Sequence, residues 1–306
     1  MTAAVAAGPD SSTPGSPAQV PAGRVPAWLA PAQWQLALPL TLAFVAFFLA
    51  PLLMLLAVSL YGDDQITRLD LGMWRKFLGD PFYLMVVVDT VKLGALTVAV
   101  TVLIGYPLAL VYMAAPAWAQ RVLLFIVLLP LLTSVIVRTF AWIVILGREG
   151  IVNQAVMALG LSAAPLRLLQ TEPGLVIALA QIEMPLMLLP LLSVMSRIDP
   201  NLRDASAALG ASAWRTLFRV TLPLSLPGLL AGCTLVFASA TTAFISQGVI
   251  GGNRLVYLPL VIWQQSLVVY NWPLAAVAAI SLLVSVGVGV TAISALGRRG
   301  RGFVHG

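Results

Sequence analysis

DPNLRDASAALGASAWRTLFRVTLPLSLPGLLAG, residues Asp199–Gly232, joins helix signals to basic charge between two apolar runs. Asp199 is placed to cap a helix with Pro200 at its first position, where the missing proline N–H does no harm. Such a helix runs through Leu209 and stops at Gly210, which can adopt the left-handed conformation that ends helices. Ser212 then caps a second short helix, and Pro223 brings it to an end. The spacing puts Leu202, Ala205 and Leu209 on one apolar face and Leu217, Phe218 and Val220 on the next helix. Arg197, Arg203, Arg215 and Arg219 stand around them against Asp199 and Asp204. A knob of this kind, with apolar faces and a basic rim, calls for a partner; an ordinary amphipathic loop is the competing reading.

Outside the knob the chain is apolar. Hydrophobic residues make up 60% and charged residues 9% of its 306 positions, and mean hydropathy is +0.99. A soluble protein of this length needs far more charge to cover its surface, so the chain is an integral membrane protein. Six runs reach the length that a bilayer core of about 30 Å demands: 35–60, 87–114, 122–146, 174–195, 228–249 and 273–296. The expected fold is therefore all-α, with about six membrane helices. Residues 1–33 read as a disordered cytoplasmic tail, 34–297 as the membrane domain with the knob at 197–225, and 298–306 as a basic tail. Pro39 and Pro51 are expected to kink the first run, and Pro107, Pro185 and Pro190 to interrupt the second and fourth. Residues Leu71–Leu78 form a short amphipathic segment, expected on the outer membrane surface with Trp74 and Phe77 at headgroup depth.

Charge sets the orientation. With both ends inside, nine basic residues face the cytoplasm and seven the exterior, while the outer loops hold seven acids. The inner bases lie in short loops and a dense terminal cluster, which favours both termini inside and places the knob in the cytoplasm.

Several chemistries are disfavoured by composition. The sequence has no G-x-x-x-x-G-K-[ST] phosphate loop, a single histidine (His305) and a single cysteine (Cys233). No catalytic, cofactor-binding or metal-binding residue is expected, and the basic excess is sorted by loop and does not suggest a nucleic-acid face. Two charges do fall inside apolar runs, where an ionisable group is a functional hypothesis by default. Arg138 lies nine residues before Gly147 and Glu183 nine residues after Gly174. At 1.5 Å per residue both sit about 13 Å below the outer surface. Equal depth on antiparallel neighbours permits an ion pair locking the two helices or, equally, a role in a translocation path. Trp142 is grouped with them, while Trp142, Trp263 and Trp272 are each read as interface anchors or packing ahead of a ligand cage. Gly228 and Gly232 form a G-x-x-x-G suited to close contact with another span, within or between subunits.

The knob resembles the EAA loop by which ABC-importer permeases dock onto their ATPase. The matching positions are Asp204-Ala205-Ser206, Gly210, Leu222-Pro223 and Pro227-Gly228, with Asp in place of Glu and Ser in place of the second Ala. Further stretches are similar to the spermidine/putrescine branch of these permeases. They are Leu103–Ala109, with its Gly-Tyr-Pro, Val137-Arg-Thr-Phe-Ala-Trp142, Leu146–Gly150 with Asn153, Met184-Pro185, Leu189–Leu191, Ile250–Gly252 and Asn271–Pro273. Glu183 stands where that branch would carry an apolar or aromatic residue.

The resemblance implies a permease of the bacterial inner membrane, working by alternating access with an ABC ATPase dimer and an extracytoplasmic solute-binding protein. A second permease chain, usually a paralogue, completes the expected assembly. ATP and magnesium would be bound by the ATPase, and ATPase coupling would fall to Asp204, Ala205, Ser206, Leu209, Gly210, Arg215 and Phe218. The implied solute is a polyamine or a related small amine. An ion-coupled transporter or channel using Arg138 and Glu183 is the competing class.

Overall fold

A computed structural model describes residues 30–64 and 66–301. The described residues are helical nearly throughout, with one isolated antiparallel bridge, Tyr61 to Leu69. The chain divides into two units at Leu53. The first contains most of α1 (Ala30–Ser59), one helix straight through Pro39 and Pro51. It begins inside the segment read as a tail; residues 1–29 lie outside the described residues.

The second unit is built on α3 (Pro81–Ala114), α7 (Glu172–Met195), α10 (Leu222–Thr242) and α13 (Trp272–Arg301). The bilayer dictates this form, because a helix satisfies its backbone hydrogen bonds within one segment. Prolines do not interrupt these rods: Pro107 lies inside α3, and Pro185 and Pro190 inside α7. The basic tail is likewise partly helical, since α13 continues to Arg301, and residues 302–306 lie outside the described residues.

Close packing of α3, α7 and α10 rests on glycine. A Cβ on Gly94 would lie 2.5 Å from Thr241 Cγ2. Gly228 faces the Pro190 carbonyl and Gly232 the Met187 carbonyl, at 2.8 and 2.9 Å from an ideal Cβ. The G-x-x-x-G therefore works within this chain, seating α10 on α7.

Two spans and the amphipathic segment differ from the sequence expectation. The run 122–146 is two helices, α4 (Ala117–Leu132) and α5 (Val135–Leu146), bent by 107° at the break between them, and α5 leads on to α6 (Ile151–Ala158). Pro130, two residues before α4 ends, prepares this break. Among the described residues, five unbroken helices are thus long and apolar enough to cross a membrane, or six crossings if the bent pair counts as one. The fifth span begins earlier and ends earlier than 228–249: Ala213–Thr242 is one 30-residue helical run, and α11 (Phe244–Gly251) follows it. The amphipathic segment forms α2 (Gly72–Gly79), with Phe77 turned inward and fully buried among Tyr83, Val86, Leu258 and Leu274. Its moment points inward because α12 (Leu258–Trp263) and α13 supply an apolar wall. Trp74 donates to Ser59 Oγ at 3.4 Å.

In the loop before α2, Asp63 accepts hydrogen bonds from the backbone N–H groups of Thr67 and Arg68, each at 3.0 Å, and from the Thr67 hydroxyl. These bonds, the hydroxyl's first, hold its carboxyl below the usual carboxylate range.

Candidate functional site

Two places gather the residues singled out by sequence. The first is the knob. Helix α8 spans Asn201–Ala208, with Asp199 Oδ1 accepting from the Asn201 N–H at 2.9 Å and Pro200 as the capping residue. The start is thus one residue later than the sequence suggested, since Asp199 bonds two residues on. Gly210 ends the turn at φ +78°, and the Ala211 N–H reaches back to the Ser206 carbonyl at 3.1 Å. Ser212 caps α9 (Ala213–Thr216) by accepting from the Arg215 N–H at 3.3 Å.

Pro223 does not end this second helix. A π-turn at Leu217–Thr221 carries the rod into α10, with the Leu222 N–H bonded to the Leu217 carbonyl. The proline follows at the start of α10, where it has no N–H to place.

The hydroxyls of Ser206 and Thr216 lie 2.9 Å apart and tie the two helices together. Leu209 is 89% exposed, and Trp214 and Phe218 stack with centroids 6.1 Å apart on the outer face. Asp204, Ala205 and Arg215 are exposed beside them, and Ser206 is half-buried at the tie. An uncovered Leu, Trp and Phe with charged neighbours is the composition of an interface centre and its rim. Trp214, which the sequence reading passed over, belongs to this surface; its spacing four residues before Phe218 was the available signal.

The second place is the region around Arg138 and Glu183. Arg138 lies in the first turn of α5, just after the bend that separates it from α4. No ion pair joins it to Glu183: among the described residues the salt bridges are Arg75–Asp70 and Lys92–Glu172. Arg138 instead donates through Nη1 to the Pro130 carbonyl, which Thr133 Oγ1 also meets at 3.1 Å. The break leaves that carbonyl without its helical partner, and the guanidinium caps the broken end.

Arg138 and Glu183 nevertheless line one cavity of about 390 Å³, with Ser239 and Thr242 of α10 and Ser246 of α11. Glu183 is 5% exposed, and Ser239 stands within interaction range of its carboxyl. Thr139 Oγ1 and Ser246 Oγ, 3.5 Å apart, hold α5 against α11 at its edge. Sequence reading missed these hydroxyls, which were visible only as small residues in apolar runs.

Trp142 lies apart from Glu183. Its Nε1 donates to Gln181 Oε1 at 3.2 Å, and it lines a separate, more apolar cavity of about 470 Å³ that shares Arg138 as a wall. Trp263 packs on Phe244 with ring centroids 5.9 Å apart.

Comparison with known proteins shows the family and the fold. Residues 101–300 match the family model described as "Binding-protein-dependent transport system inner membrane component". The chain is 33% identical over 243 residues to the spermidine/putrescine transport system permease protein PotB of Haemophilus influenzae, covering 78% of this chain and 85% of that protein. It is 25% identical over 261 residues to a putative 2-aminoethylphosphonate transport system permease protein, PhnU, of Salmonella paratyphi A, covering 85% and 89%. In fold it is similar to a chain of a bacterial ABC transporter involved in the import of the acidic polysaccharide alginate. That match has a TM-score of 0.70 at 18% identity and covers 89% of this chain and 96% of that one.

Proposed function

We propose, from the premise that the chain belongs to the family of binding-protein-dependent transport system inner membrane components, that a separate ATPase grips its knob and that its solute is a small amine. As a member of that family it is a membrane-spanning permease subunit of an ATP-driven ABC importer, and it is not itself an enzyme. It works in the inner membrane. The observation that carries the docking role is the uncovered apolar surface of Leu209, Trp214 and Phe218 on two helices braced by Ser206 and Thr216.

Both termini and the knob face the cytoplasm in this reading. The partners are an ATPase dimer that binds ATP and magnesium, a second permease chain and an extracytoplasmic solute-binding protein. Closure of the ATPase dimer moves the knob, and the bundle alternates its opening. The solute is a polyamine such as spermidine or putrescine, or a related small amino compound; the names of the relatives with similar sequences support this.

Gly210→Pro tests the docking role in proteoliposomes holding the whole complex. Proline cannot take φ +78°, so we expect assembly in the membrane with uptake lost and ATP hydrolysis no longer stimulated by loaded binding protein. Unaltered uptake overturns the reading. Uptake driven by an ion gradient, without ATPase or binding protein, would replace it with secondary transport.

A further inference from the structure

We infer that Glu183 is a substrate-contacting residue: its carboxylate takes one primary ammonium of the solute inside the 390 Å³ cavity as the solute crosses the membrane. This rests on the proposed amine import and adds the group that recognises the solute within the permease itself. A carboxylate 5% exposed in the middle of an apolar helix is costly without a cation near it. No basic side chain lies within salt-bridge distance of it among the described residues. The nearest candidate, Arg138, is turned to the Pro130 carbonyl at the end of α4. What the carboxylate does face is open volume, large enough for an alkylamine, with hydroxyls of Ser239, Thr242 and Ser246 along its walls.

An ammonium has three donors in tetrahedral arrangement, and a carboxylate with flanking hydroxyls supplies acceptors for all of them. Arg138 lines the same cavity, so the bound ammonium sits on the Glu183 side, toward Ser239 and away from the guanidinium. A site of one carboxylate is also weak enough to release its occupant, as a path through a membrane requires.

The test is uptake of radiolabelled putrescine and spermidine into proteoliposomes holding the complete importer, with KM and turnover measured separately from ATP hydrolysis. Glu183→Gln removes the charge at almost constant shape. The expected result is a rise in KM of about tenfold or more, the loss of a charge-assisted hydrogen bond, with ATP hydrolysis still stimulated by loaded binding protein. Glu183→Asp should recover part of that loss, and Ser239→Ala should raise KM by a smaller factor.

A purely structural role would lower the amount of assembled complex without changing KM. If Glu183→Gln fails to assemble, Glu183→Asp and Ser239→Ala decide the matter by the same KM readout. Unchanged KM and turnover in the assembled variants, while the wild-type importer carries these amines, overturns the inference and leaves amine import standing. A wild-type importer that carries neither amine overturns both.

Discussion

Single glycines decide how closely the helices approach. A Cβ on Gly232 would meet the Met187 carbonyl at 2.9 Å, and a backbone atom cannot rotate away. Gly232→Ala should therefore destabilise the protein by roughly 1–3 kcal/mol, seen as a lower midpoint of thermal unfolding in detergent. Gly248→Ala is the control: nothing lies within 4 Å of its Cβ, and alanine is the better helix former, so no loss is expected there. Asp63 gives a pH dependence. Its folded-state carboxyl titrates below its ordinary value of 3.8, so its contribution is fully present above that value and is lost as the pH falls through the folded one. Protection of the Thr67 and Arg68 amides in hydrogen exchange, corrected for intrinsic rates, should hold from neutral pH down through the ordinary carboxylate value and vanish only as the pH falls through the lower folded-state one. Arg138 marks where reading residues one at a time ran out. Its presence in an apolar run was plain from sequence, but its partner is a carbonyl freed by a helix break, and no side-chain pairing rule points to a backbone group.

Periodicity and length made the long helices legible, because a lipid-facing rod needs only apolar residues in number. The punctuation inside them was harder to read. Pro107, Pro185, Pro190 and Pro223 all looked like stops, and helices pass through or over each of them, whereas Pro130 does stand beside a break. The difference lies in tertiary packing, which a local pattern does not contain. The knob was read nearly residue by residue, since Asp199, Gly210 and Ser212 act on neighbours within three positions. The bond between Ser206 and Thr216 was not legible, because it spans the turn. Its consequence is measurable. Ser206→Ala and Thr216→Val should each weaken binding of the isolated ATPase subunit by about two- to tenfold, the net worth of one hydrogen bond, because a loosened pair must be ordered on docking. The double variant should lose no more than either alone; additive losses would show that the two hydroxyls act separately.

At the scale of the whole molecule, the proposed orientation rests on where loop charge lies, and accessibility checks it. On a Cys233→Ser background, which removes the native thiol, Leu209→Cys places a reactive group at a position 89% exposed. A membrane-impermeant maleimide should label it in inside-out vesicles and not in right-side-out ones; the reverse pattern would overturn the cytoplasmic placement of the knob. The run Ala213–Thr242 crosses these scales. Its first turn carries Trp214 of the knob, and its last turns carry Ser239 and Thr242 on the wall facing Glu183. From Trp214 to Ser239 the chain rises by about 38 Å, with no loop between them. In the proposed docking role such a rod would act as a stiff lever, carrying a displacement of the knob to the cavity beside Glu183 as tilt or twist. In that role the π-turn at Leu217–Thr221 would be where such a stroke is most readily absorbed, and stiffening or loosening it would tune how much movement passes along the rod.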